Sequence, residues 1–324
     1  MKLPHLSLDL ADQPAITLTK LRNWPETKHV FDEDSIWAIN AALCTGRPLL
    51  LRGEPGTGKS QLARAAAQKL QWPFLSRVVN ARFEPEDLLY RIDAVARLGK
   101  AQLGDAKADL NADLYLLPEI LWWALDHEGA AEQYKRAAPH CGDAGCDYSK
   151  DTGFPFSAGK RVVVLIDEID KADSEVPNSL LETLSINGFQ LPHGSKTVSA
   201  KGDPPLVIIT TNEDRELPPA FLRRCIVHQM DLPTDEAALD KHLRQRVTAH
   251  FATKPLDEKV VTAAIAQLKQ DRDEMKKNDL PQPGQAELLD LLRAVVEIAP
   301  NSAEDQGKVL DKLKTMTFRK HRNL

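Results

Sequence analysis

The octapeptide Gly53-Glu54-Pro55-Gly56-Thr57-Gly58-Lys59-Ser60 constrains this chain more than any other feature. It meets every fixed position of G-x-x-x-x-G-K-[ST]. The apolar run Leu49 to Leu51 reads as a buried strand before it, and Gln61 to Leu70 as a helix after it. Glycines let such a turn curl until its backbone N–H groups point inward, and the helix N-terminus adds partial positive charge. That geometry cradles phosphate oxygens. On this reading residues Gly53 to Gln61 hold phosphates, Lys59 reaches the outer ones, and the Ser60 hydroxyl ligates Mg²⁺. A glycine-rich turn matching by chance is the alternative. The flanking strand and helix weigh against it.

Further short apolar runs follow at Phe74 to Val79, Val162 to Ile166, Leu206 to Thr210 and Cys225 to Met230. Runs of this length, rich in Val and Ile and lacking alternation, read as strands buried on both faces. Helical stretches separate them, so an α/β parallel sheet is expected. Residues 1–30 show little periodicity and read as a surface arm. A helix follows from about Asp34, with Asp32 or Asp34 as its cap and Gly46 as its close. The connection from Val79 to Val162 is too long for one helix. It implies an insertion around 80–125 and a Gly/Pro loop over 126–160. Beyond Pro233 only helical stripes appear, such as Leu239, Leu243, Val247 and Phe251. The expected units are therefore an arm at 1–30, an α/β unit at 31–233 and an all-helical unit at 234–324.

Three further features point to chemistry at the strand ends. Val162 to Ile166 run into Asp167-Glu168, which places two carboxylates at the rim where open α/β sheets bind ligands. Asp167 would hold Mg²⁺ through water, and Glu168 would act as general base toward an attacking water. A helix N-cap is the competing role, and it suits Asp170 or Asp173 better. The next strand ends at Asn212, placed to hydrogen-bond an outer phosphate or the water. A turn residue is its alternative. Arg223-Arg224 offers rigid guanidinium forks for phosphate, against the alternative of a surface ion pair of little consequence.

Composition narrows the class. Lys and Arg number 42 against 47 Asp and Glu, a net charge of −5, so there is no basic excess to argue for nucleic acid. No apolar run reaches the roughly 18–20 residues of a membrane helix. The N-terminus lacks a signal-peptide layout, and the cysteines Cys44, Cys141, Cys146 and Cys225 are too few for a disulfide scaffold. A cytoplasmic protein is expected. His140-Cys141 and Cys146 lack a paired metal-ligand spacing and read as an ordinary loop. Trp122-Trp123 reads as helix core rather than a docking edge. The basic end Phe318 to Arg322 reads as solvated.

Gly53 to Ser60, Leu165 to Glu168, Asn212 and Leu222-Arg223-Arg224-Cys225, in this order, resemble an AAA+ ATPase. The likeness is to the MoxR-like branch, often grouped with dynein-related modules. It rests on Arg82 to Tyr90, on Asn178 to Leu184 with Gly188 to Pro192, and on Thr211 to Phe221. The resemblance implies a five-stranded P-loop NTPase sheet of order 5-1-4-3-2 with a C-terminal helical lid. It makes Lys59 and Ser60 Walker A, Asp167 and Glu168 Walker B, Asn212 sensor 1, and Arg224, or else Arg223, an arginine finger. It implies ATP and Mg²⁺ at the subunit junctions of a ring, commonly a hexamer. The implied role is chaperone-like remodelling of a protein partner, in some relatives one with a von Willebrand factor A domain.

One departure stands out. Relatives usually carry a sensor 2 arginine near Ala286, and here the nearest is Arg293, two turns on. A weaker lid response, or a basic group from elsewhere, is expected. Two other classes compete: a nucleic-acid motor or initiator, against which the net acidity stands, and a slow nucleotide-dependent switch or scaffold.

Overall fold

The structure is a computed structural model, and it describes residues 15–102, 111–157, 160–192, 196–300 and 302–318. The described chain opens with an antiparallel hairpin of Ala15–Leu18 (β1) and Thr27–Val30 (β2). Residues 15–30 are thus a folded hairpin rather than the expected arm, while residues 1–14 lie outside the described residues. Four-residue strands of mixed Thr, Lys and His carry too short a pattern to be read from sequence. What holds them is tertiary. Leu18 is fully buried, and Ile16, Leu21 and Trp24 pack on the core below the sheet. Helix Glu33–Thr45 (α1) follows, with Asp32 accepting the Ser35 N–H at 2.7 Å and Gly46 closing it at φ 67°.

The central sheet takes its strands from the apolar runs: Leu49–Arg52 (β3), Phe74–Val78 (β4), Val163–Asp167 (β7), Leu206–Thr210 (β10) and Ile226–Gln229 (β11). Two small antiparallel pairs lie between these strands in sequence, Tyr90–Ile92 (β5) with Leu116–Pro118 (β6) and Gly188–Gln190 (β8) with Thr197–Ser199 (β9). All neighbouring pairs are parallel, in the order β11-β3-β10-β7-β4. Numbered among these five alone, that order is 5-1-4-3-2. Alternate residues serve opposite faces. Leu50, Val164, Ile166, Val207 and Ile209 enter one core, and Leu49, Leu51, Val163, Leu165 and Ile208 the other. Burial on both faces is why these strands read as unbroken apolar runs.

Helix Lys59–Leu70 (α2) connects β3 to β4. The insertion between β4 and β7 contains the antiparallel pair Tyr90–Ile92 (β5) and Leu116–Pro118 (β6), with Ala94–Gln102 (α3) between them. Ile120–Leu125 (α4) and His127–Ala137 (α5) follow. Trp122 and Trp123 lie in the core. By contrast α3 buries none of its residues, and Val95 is 83% exposed. Glu175–Ile186 (α6) leads to the hairpin Gly188–Gln190 (β8) and Thr197–Ser199 (β9). The short helix Pro219–Leu222 (α7) precedes β11.

Four helices complete the described chain: Glu236–Phe251 (α8), Glu258–Lys277 (α9), Gln285–Ile298 (α10) and Ala303–Phe318 (α11). The stripe Leu239, Leu243, Val247 and Phe251 is buried in a third core of their own. Phe318 is also buried there, so it anchors α11 rather than belonging to a solvated tail. Residues 319–322 of that basic stretch lie outside the described residues. No helix among the described residues is long and apolar enough to cross a membrane.

Candidate functional site

The loop between β3 and α2 bends through positive φ at Gly53 (130°), Gly56 (77°) and Gly58 (97°). Gly53 also has no room for a side chain: a Cβ there would lie 2.7 Å from the Met230 carbonyl oxygen. Gly58 serves as the N-cap of α2, so the first N–H groups of that helix open into the loop. Lys59 is 6% exposed, and its Nζ donates to the carbonyls of Gly53 (2.7 Å) and Glu54 (2.8 Å). Burial holds its pKa below the ordinary lysine range, against the raising pull of Asp167 and Asp170.

The C-terminal ends of β7 and β10 meet this loop. Ser60 Oγ donates to Asp167 Oδ1 at 2.8 Å. Thr210 Oγ1 donates to the same oxygen at 2.6 Å and accepts the Glu168 N–H at 2.9 Å. Glu168 has φ 61°, an uncommon conformation for a side chain of its size. It pairs with Lys171, and its Oε1 accepts from Asn212 Nδ2 at 3.4 Å. Asp170 is not a helix cap. It is 2% exposed, and its Oδ2 accepts the N–H groups of Asn212 (3.2 Å) and Asp214 (3.0 Å). It thereby fixes the loop that carries Asn212. Ser174, not Asp173, holds the N-cap position of α6.

Lys59, Ser60, Asp167, Glu168 and Asn212 all line one cavity of about 380 Å³, together with Pro55 to Gly58 and Gln61. Gly53 and Glu54 bound the loop without lining it. Arg223 and Arg224 are brought nowhere near: both are exposed and lie outside the cavity. Neither makes an ion pair among the described residues.

The lid helices close over the loop. Gln285 Nε2 donates to the Thr57 carbonyl at 2.8 Å, and its Oε1 lies 3.0 Å from His242 Nε2. Arg272 of α9 pairs with Glu54 at 3.0 Å and donates to the Pro283 carbonyl at 2.7 Å. Ala286 lines the cavity where relatives would place an arginine, while Arg293 pairs with Asp290 elsewhere on α10. The lid arginine that does line the cavity is Arg246 of α8, alongside His250, and the hairpin contributes Lys28 and His29. Sequence reading found none of these four, nor Thr210. Thr210 had a usable signal, a polar residue ending an apolar strand beside Asn212. The others are joined to the site only by tertiary packing.

Among known families, the AAA domain of the dynein-related subfamily matches residues 48–247, more than half of the chain. No curated protein matches it. Among solved structures, a proposed ATPase from Cytophaga hutchinsonii aligns at 14% identity and a TM-score of 0.36, over 88% of this chain and 79% of its own. A chain of the HORMA:CdnC:Trip13 complex from E. coli MS115-1 aligns at 17% identity and a TM-score of 0.38, over 84% and 77%. At such scores neither likeness bears on function. The family match does, and it agrees with the five-stranded parallel sheet and the phosphate-cradle sequence: this chain belongs to the AAA domain family, dynein-related subfamily.

Proposed function

We propose that this chain is a MoxR-like AAA+ ATPase that hydrolyses ATP with Mg²⁺ and couples turnover to remodelling a protein partner. The observation carrying this is the shared hydrogen-bond chain of Ser60, Asp167 and Thr210 beside Lys59, in one cavity with Glu168 and Asn212. The residues fit the implied groups. Three positive-φ glycines leave a cradle that side chains would fill. Ser60 Oγ and the Asp167 carboxylate are hard oxygen donors suited to Mg²⁺, which takes one or two protein oxygens and completes its shell with phosphates and water. Bound there, Mg²⁺ would neutralise charge on the β- and γ-phosphates.

The chain's own residues then divide the work. Lys59 exchanges the Gly53 and Glu54 carbonyls for phosphate oxygens, a stronger partner for a partly desolvated ammonium. Glu168 takes the proton of the attacking water, and Asn212, which donates to it, orients that water. Gly53 to Gln61 position the phosphates. The exposed position of Arg223 and Arg224 suits a finger acting on a neighbour's nucleotide, Arg224 first, in a ring that is commonly hexameric in this family. The units of the proposed machine are the α/β unit at 31–233 and a lid at 234–324. A protein client, in the manner of von Willebrand factor A partners, fits the net charge of −5 better than nucleic acid does.

Glu168→Gln tests the reading. The variant is expected to bind ATP like the wild type and to hydrolyse it at least about 100-fold more slowly, the lower end of what a general base contributes. A filter-binding assay and a phosphate-release assay measure the two. Wild-type turnover in the variant sinks the general-base role. The same variant held in ATP serves as a trap for identifying the client.

A further inference from the structure

The cavity extends well beyond Lys59. Its far wall is built from His29 of β2 and from Arg246 and His250 of α8, with Asp32 at the base of α1. The charges nearest Lys59 are Asp167, Asp170, Asp231 and Glu213, whereas Arg246 is opposed by Asp32 and neighbours His29, His242 and His250. The two cationic groups thus sit among different charged neighbours in one cavity. With phosphates at the Lys59 end, an extended nucleotide brings its base to the other.

That end holds unused hydrogen-bonding capacity. His29 is 7% exposed, and its Nε2 has no hydrogen-bond partner. Burial pushes its pKa down to about 3, so the ring is neutral at pH 7. Arg246 is half-buried and engages no hydrogen bond or ion pair among the described residues. Burial lowers its pKa, opposed by Asp32, yet a guanidinium stays charged at pH 7. Two of the other polar groups nearby are occupied. Asp32 caps α1 through the Ser35 N–H and hydroxyl, and His250 bonds the backbone of Lys28. Leaving an imidazole nitrogen and a guanidinium unsatisfied costs folding free energy, which a ligand placed between them offsets.

We propose that Arg246 and His29 read the base of the bound nucleotide, and that together they admit guanine as well as adenine. This rests on the nucleotide-binding reading above. A guanidinium only donates, and the O6/N7 edge of guanine offers it two adjacent acceptors. On the same edge adenine offers one acceptor, N7, beside an amino group that needs an acceptor of its own. A neutral imidazole supplies that acceptor at Nε2 when its proton sits on Nδ1. Arg246 thus carries guanine recognition, and His29 carries adenine recognition.

Displacement of a fluorescent ADP analogue from the full chain, by ADP and by GDP, tests this without turnover. Wild-type protein is expected to bind GDP within about tenfold of ADP. Arg246→Met, which keeps the aliphatic stem, is expected to weaken GDP about tenfold or more relative to ADP, the scale of a lost bidentate contact. His29→Phe is expected to weaken ADP more than GDP. Wild-type protein that binds ADP but rejects GDP about 100-fold overturns the base reading, and so does an Arg246→Met variant that weakens both equally. That wild-type ratio requires no variant to fold. Wild-type protein that binds no nucleotide overturns instead the functional reading beneath.

Discussion

At the Lys59 end of the cleft each functional side chain has a protein partner: Lys59 on two carbonyls, Ser60 and Thr210 on Asp167, and Glu168 between Lys171 and Asn212. At the Arg246 end His29 Nε2 and the guanidinium of Arg246 have no hydrogen-bond partners among the described residues, and both residues line the cavity. The first end is a pre-organised network, in which donors and acceptors are held in place before a ligand arrives. The second is a set of walls brought together from the hairpin and the lid, about 200 residues apart in sequence. The proposed chemistry sits at the C-terminal ends of internal strands. The proposed base recognition is shared between the hairpin and α8.

The largest expected effect breaks the first end outright. Lys59→Ala removes the buried cation that both carbonyls hold in place, and ATP affinity should fall about 100-fold or more, as for a lost charge-assisted contact in a desolvated site. Isothermal titration measures it, and unchanged affinity would remove the octapeptide from phosphate binding. The same variant probes the finger. Mixed with Arg224→Ala subunits in the proposed ring, it would form junctions that pair an intact cradle with an intact Arg224, and part of the lost ATPase activity should return. No recovery at any ratio takes Arg224 out of the junction.

Legibility in the sequence follows the same divide. The five strands stood out because burial on both faces of the sheet leaves no polar alternation to confuse them. Lys59, Ser60, Asp167, Glu168 and Asn212 were legible because each lies within a few residues of a strand's C-terminal end, so local order fixes their position at the rim. His29 and Arg246 were not. Four-residue strands such as β1 and β2 hardly differ from loop in composition, and Arg246 differs little from any basic residue on the polar side of α8. Asp170 read as a helix cap, because the sequence cannot show that two N–H groups from a loop over 40 residues downstream turn toward it. The missing lid arginine at Ala286 was visible in the sequence, but the presence of Arg246 in the same cavity required the fold.

A smaller perturbation loosens the first end without emptying it. Thr210→Val keeps shape and volume and removes the hydroxyl that bridges Asp167 and the Glu168 N–H. Thr210 is 1% exposed, so both partners lose a bond in a site with little water to replace it. The expected cost is about 1–3 kcal/mol of stability, read from urea denaturation. A variant as stable as the wild type would show that the Ser60–Asp167 contact suffices and that the network is less tightly coupled than its geometry implies.

The mildest test acts on the second end through pH. His29 has a folded-state pKa of about 3 against 6.5 in an unfolded chain, and burial is the main cause, with Arg246 pushing the same way and Asp32 opposing. Below about pH 6.5 the unfolded chain takes up a proton that the folded chain refuses. His29 therefore lets the fold keep its full stability above pH 6.5, and stability is lost as pH falls toward 3, at up to about 1.4 kcal/mol per pH unit for one proton. His242 and His250, each lowered to about 4 mainly by burial, steepen the loss in the same direction. In His29→Phe the melting temperature should fall less between pH 6.5 and 4 than in the wild type, because one of these protons is gone. Identical pH slopes in wild type and variant would mean that His29 is solvated in the folded protein, and the contrast between the two ends of the cleft would then disappear.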